Sequence, residues 1–139
     1  DRVAGGPNDR TFAKENKTAV IQWVAIFLGG GLGSLCRFAM SKGFERIDIS
    51  VLPMATFTSN LLSTAILGLL AFRFSNQLNP FWFSFLIIGF CGGFSTFSTF
   101  SYETFLLAKN GQFVWAVLNA LISVAACVLI LFVVSKQFK

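Results

Sequence analysis

The residues of this chain that could do chemistry are mostly uncharged. Thr56, Ser59, Asn60, Ser63 and Thr64 recur at three- and four-residue spacing inside one apolar run, which sets them along one face of a helix. Asn119, Ser123 and Cys127 lie at i, i+4 and i+8 in another run and form a second stripe. A third run reads Gly92-Gly93-Phe94-Ser95-Thr96-Phe97-Ser98-Thr99-Phe100-Ser101-Tyr102-Glu103. Its Phe-Ser-Thr triplet repeats with period 3, which matches neither helix nor strand. Hydroxyls and amides of this kind can replace the water around a small ion, or they can tie helices together by hydrogen bonds. Ser63 and Thr64 suit the second role. Asn60 and Asn119 point towards the first, because each amide brings two donors that must be satisfied.

Catalysis finds little support. The chain has no His, its six Asp and Glu residues are scattered, and no nucleophile–base pair or metal-ligand spacing occurs. An enzyme is not expected. Cys36, Cys91 and Cys127 each fall in a different apolar segment, so a disulfide framework is not expected either. The net charge of +5 does not imply nucleic acid, since no Lys/Arg run interleaves with aromatics.

The elements that position these residues follow from composition. Of 139 residues 55% are hydrophobic and only 12% charged, and the mean hydropathy is +0.71. Soluble domains carry about 25% charged residues. A helix needs about 20 apolar residues to cross roughly 30 Å of hydrocarbon. Charged residues and the Asn76, Asn79 and Pro80 loop divide the chain into four such runs. The predicted architecture is all-α, with transmembrane helices at about 18–41, 51–73, 80–104 and 112–135. Pro80 suits a first helical turn. Residues 1–17 are polar and mixed in charge, and read as a flexible tail ahead of a membrane domain over 18–139. A secretory signal is the other reading of tail plus first span. Acids among its bases, a long apolar run and the lack of an A-x-A site argue against it.

Polar groups at membrane depth normally face a protein interior or an aqueous cavity. In the third run the paired glycines permit close approach or a break, and irregular backbone is tolerated there only in such places. The segment is expected to hold an ion or substrate site. Gly29-Gly30-Gly31-Leu32-Gly33-Ser34 suggests a close helix crossing. Arg37, just beyond, either snorkels to the interface or lines an anion-attracting vestibule; the two are equal on these residues. Outside the tail, Arg73, Lys136 and Lys139 on one side balance Lys42, Arg46 and Lys109 on the other. A subunit inserted in both orientations shows such a balance.

The stretch from Gly92 to Ser101, followed by Glu103, resembles the third-helix signature of the Fluc (CrcB-type) fluoride ion channel family, G-G-x-[ST]-T-F-S-T-F-S-x-E. The Gly-rich first span ending in Arg37 and the position of Asn60 match as well, and the resemblance covers residues 20–138. It implies passive, selective export of fluoride, conferring fluoride resistance, by an antiparallel dual-topology homodimer in the inner or plasma membrane. It also implies a structural Na+ at the dimer centre, held by backbone carbonyls of Gly92 and Ser95. Phe97, Phe100 and Asn60 correspond to pore residues, and Thr56, Asn119, Ser123 and Cys127 to a polar track. Thr96, Ser98 and Thr99 fall inside the motif, with Ser98 and Thr99 among the implied pore residues, and Glu103 closes it. Some members carry an aromatic hydroxyl where this chain has Asn119. Uncharged donors can strip fluoride of water without trapping it. Phenylalanine edges, the positive rim of the ring quadrupole, can face an anion, and carbonyl oxygens suit a hard cation. The rival from another class is a small multidrug-type, proton-coupled exporter. That mechanism needs a membrane-embedded carboxylate, whereas the first span has none and Glu103 is expected at a helix end.

Overall fold

A computed structural model describes residues 9–46, 53–74 and 77–138. Four helices are long and apolar enough to cross a membrane: Lys14–Glu45, Met54–Phe74, Pro80–Lys109 and Phe113–Gln137. The chain is therefore a multi-pass, all-helical membrane protein. The first helix starts ahead of its apolar part, at Asp9, and runs to Glu45. The segment expected as a flexible tail is thus helical from Asp9, while residues 1–8 lie outside the described residues. Lys14, Glu15 and Lys17 are good helix formers, and extending an existing helix requires no new nucleus.

The second span winds as an α-helix over Met54–Leu69 and widens to i→i+5 bonding over Leu70–Phe74. The third begins where Asn79 Oδ1 accepts from the Trp82 amide at 3.0 Å, with Pro80 in the first turn. It adopts the wide π winding over Phe83–Cys91 and returns to α over Gly92–Phe94. Then Ser95 (φ −86°, ψ 144°) and Thr96 (φ −146°, ψ 118°) are extended. The helix resumes over Phe97–Lys109, and the Thr96 hydroxyl caps it by accepting from the Thr99 amide. It ends in a paired closure: Gln112 N donates to Leu107 O and Gly111 N to Ala108 O, with Gly111 at φ 78°. That left-handed turn is one glycine adopts without steric cost. The helix so passes the expected end at residue 104. Glu103 stands inside it rather than at its end, because the stop signal is Gly111 and not the first charge met.

Packing is inverted relative to a soluble protein. The buried positions are Thr56, Ser59, Ser63, Ser84, Asn119 and Ser123 together with Ala25, Cys91, Phe94 and Ala116. Bulky side chains such as Trp23, Phe27 and Leu129 point outward. Lipid tails solvate apolar groups as well as a core would, so small and hydroxyl-bearing residues take the helix contacts instead. The first span packs chiefly on the third and the second on the fourth. The first crossing is backbone on backbone. A Cβ on Gly29 would collide with the Phe85 carbonyl, and one on Gly33 with the Phe90 carbonyl. Gly29 and Gly33 therefore serve the close crossing expected of the cluster, while Gly31 faces open space.

Candidate functional site

The site centres on Ser95 and Thr96, where the backbone leaves the helix. Two amides that would have continued the helical ladder bond elsewhere. Thr96 N donates to Asn60 Oδ1 at 3.2 Å, and Thr99 N to Thr96 Oγ1 at 3.4 Å. In an unbroken helix those amides would have met the carbonyls of Gly92 and Ser95. Asn60 Oδ1 also accepts from Ser95 Oγ at 2.9 Å. Two donors on one oxygen fix which way the amide lies, leaving its Nδ2 donors for the neighbouring groove.

That groove, of about 230 Å³, is walled by Asn60, Thr64 and Ser95 on one side. Phe97, Phe100 and the fourth-span stripe from Ser123 to Val128 make up the remainder. The Phe97 and Phe100 rings stand 5.9 Å apart at a 39° tilt, and Phe97 is 80% exposed. No charged side chain lines the groove among the described residues. A second cavity, of about 80 Å³, lies between Met54, Phe57, Trp115 and Asn119, and Ser123 is common to both.

The remaining singled-out residues are distributed around this centre. Thr56 does not reach the groove; its hydroxyl donates to Glu103 Oε1 at 2.8 Å, while Glu103 Oε2 is buried with no partner among the described residues. Asn119 lines the smaller cavity, and its amide donates to Thr104 Oγ1 at 2.8 Å. Ser98 stands 3.0 Å from Thr96 Oγ1 and Thr99 3.4 Å, so both belong to the cap. Arg37 Nε donates to the Gly93 carbonyl at 3.4 Å, joined by Ser34 Oγ at 3.5 Å. These contacts tie the first span to the turn just before the extended residues. Ser63 donates to the Cys91 carbonyl at 2.9 Å, a buried interhelical tie.

Thr104 and the groove positions Val124 and Val128 escaped the sequence reading. Thr104 has a local signal in retrospect, since it sits one turn after Phe100, whose carbonyl it bonds at 2.8 Å. The two valines have none. Among the described residues no cluster of His, Cys, Asp or Glu could hold a metal.

Fold and site define a polytopic membrane protein whose polar interior meets an interrupted third span. The family profile described as CrcB-like protein, Camphor Resistance (CrcB), matches residues 24–134. Similar proteins include one from Serratia proteamaculans named fluoride-specific ion channel FluC, 41% identical over 104 residues, 73% of this chain and 81% of that protein. One of the same name from Salmonella arizonae is 42% identical over 103 residues, 72% and 80% of the two chains. The chain belongs to the CrcB-like family.

Proposed function

We propose that this chain is a subunit of a fluoride-selective channel that lets fluoride leave the cell passively. The observation that carries the proposal is the uncharged groove at the extended residues, where the oriented Asn60 amide, Ser95 and Ser123 accompany two phenylalanine rings. Such a wall offers donors to a small anion and no fixed charge to hold it. The name of the relatives, fluoride-specific ion channel FluC, supports the choice of ion. In this account Asn60, Phe97, Phe100 and Ser123 face the ion directly. Thr56, Ser98, Thr99 and Asn119 shape the approach through Glu103, Thr96 and Thr104.

The working unit is an antiparallel homodimer of chains inserted in opposite orientations. Gly92 and Phe97 are exposed in the single chain, so the interruption faces outward, where a second copy can reach it. A twofold axis then brings two equivalent interruptions together. The carbonyls of Gly92 and Ser95, deprived of their helical donors, fit a Na+ at that axis, since hard cations take oxygen ligands. When bound, the ion supplies positive charge that balances the converging carbonyl dipoles.

Reconstituted protein should pass fluoride from proteoliposomes and hold chloride, without a proton gradient. Comparable chloride flux, or strict dependence on a pH difference, overturns the proposal.

A further inference from the structure

The groove at the extended residues carries a thiol, Cys127, on the stripe expected as a polar track. Cys127 is half-buried and free, one helical turn beyond Ser123 on the same face of the fourth span, and it lies on the groove wall. Ser123 provides an independent observation. It is only 4% exposed, yet its Oγ has no partner among the described residues. Buried hydroxyls are seldom left unpaired. Ser123 lines both the groove and the smaller cavity, so a guest able to hydrogen-bond, water or an ion, belongs beside it in one of the two, since lipid tails offer no such partner. A guest in the groove would wet the wall one turn away, where Cys127 lies, and a thiol on a wet wall is open to reagents carried by water. Cys91 is buried, and Cys36 does not line the groove.

We propose that Cys127 is a covalent modification site inside the conduction groove, open to small water-borne thiosulfonates, and that a group attached there closes the path. The closing half rests on the channel function proposed above. In the reaction the Cys127 sulfur attacks the divalent sulfur of the thiosulfonate. The new S–S bond forms as the bond to the sulfonyl group breaks. The sulfinate leaves with the bonding electron pair, and the thiol proton passes to water. A mixed disulfide remains on the groove wall, and a thiol reductant reverses it.

The test uses proteoliposomes of the full chain carrying Cys36→Ala and Cys91→Ala, treated with the anionic 2-sulfonatoethyl methanethiosulfonate. Intact mass and fluoride flux are read together; peptide mapping of the unaltered chain replaces the first if the double variant does not fold. One adduct per chain at Cys127 is expected. Flux should fall by about tenfold or more, because conduction needs an open path, and return with dithiothreitol. With Cys127→Ser added, no adduct should form and the reagent should leave that protein's own flux unaltered. Absence of an adduct at Cys127, while an apolar maleimide labels it, means a lipid-filled groove and overturns the proposal. A full adduct with unaltered flux overturns the closure. If untreated protein passes no fluoride, the function proposed above fails, and the adduct mass alone still decides whether the thiol is reached from water.

Discussion

Asn60→Asp separates the two jobs given to the Asn60 side chain. The carboxylate keeps an acceptor for Ser95 Oγ and Thr96 N, which now bond Oδ1 at 2.9 and 3.2 Å. The extended turn at residues 95 and 96 should therefore survive. What disappears is the pair of Nδ2 donors on the groove, and a negative charge takes their place. Two unit charges 4 Å apart repel by about 4 kcal/mol at the effective dielectric of a protein surface. At 1.36 kcal/mol per decade, that slows fluoride by roughly a thousandfold. Asn60→Ala is the counterpart, losing acceptor and donors together. Interhelical hydrogen bonds in membrane proteins average about 0.6 kcal/mol, so the two lost bonds cost roughly 1 kcal/mol. Fluoride efflux from proteoliposomes near neutral pH, with thermal denaturation of the same detergent-solubilised samples, reads both effects. The Asp variant should melt like the parent and be nearly silent, whereas the Ala variant should melt slightly lower. An Asp variant conducting within a factor of a few of the parent, about 1 kcal/mol at most, would refute the placement of the amide on the ion's path.

Phe97→Ile and Phe100→Ile should each suppress fluoride flux while costing under about 1.5 kcal/mol of stability, since volume is nearly conserved; normal flux in both removes the rings from the path. Gly33→Val drives a side chain into the Phe90 carbonyl and should cost about 3 kcal/mol or more, seen as lost monodisperse protein. Gly31→Val meets open space instead and should be tolerated. Thr104→Val orphans the Asn119 amide and should destabilise by about 1–3 kcal/mol, with an unaltered melting temperature as the contrary result. Single cysteines replacing Lys42 and Arg73 in a cysteine-free chain should each label from both faces of the membrane. One-sided labelling refutes the mixed orientation.

The spans were legible because lipid enforces long apolar runs and confines polar residues to protected faces. Pro80 and the glycines of the first span could be assigned for equally local reasons: a fixed φ and a missing Cβ. The paired glycines at 92 and 93 show the limit of that logic. They drew attention to the right segment, yet both remain helical, and the extended residues are Ser95 and Thr96. The cause is a competing acceptor, Asn60 Oδ1, 36 positions away along the chain. Pairs such as Thr56 with Glu103, separated by 47 positions, likewise follow from the helix crossings and have no local signature. The extension from Asp9 to Lys17 was hidden because its composition suits a solvated helix as well as a loose tail. The i→i+5 winding of Phe83–Cys91 has no counterpart in the pattern of apolar residues, and we have no physical account of its length.

The length of the first helix has a practical consequence for imaging. Its 37 residues at 1.5 Å each span roughly 55 Å, against roughly 30 Å of hydrocarbon. Positions from Lys14 to Val20 are exposed in the chain, and Lys14, Glu15 and Lys17 are charged, so this end carries helix past the hydrocarbon as a short rod. A particle embedded in a nanodisc would carry its own fiducial mark without an antibody or fusion tag. Two chains in opposite orientations place one rod on each face of the disc, and two in the same orientation place both on one. Side views alone would then count the orientations, at a resolution too low to trace a single side chain.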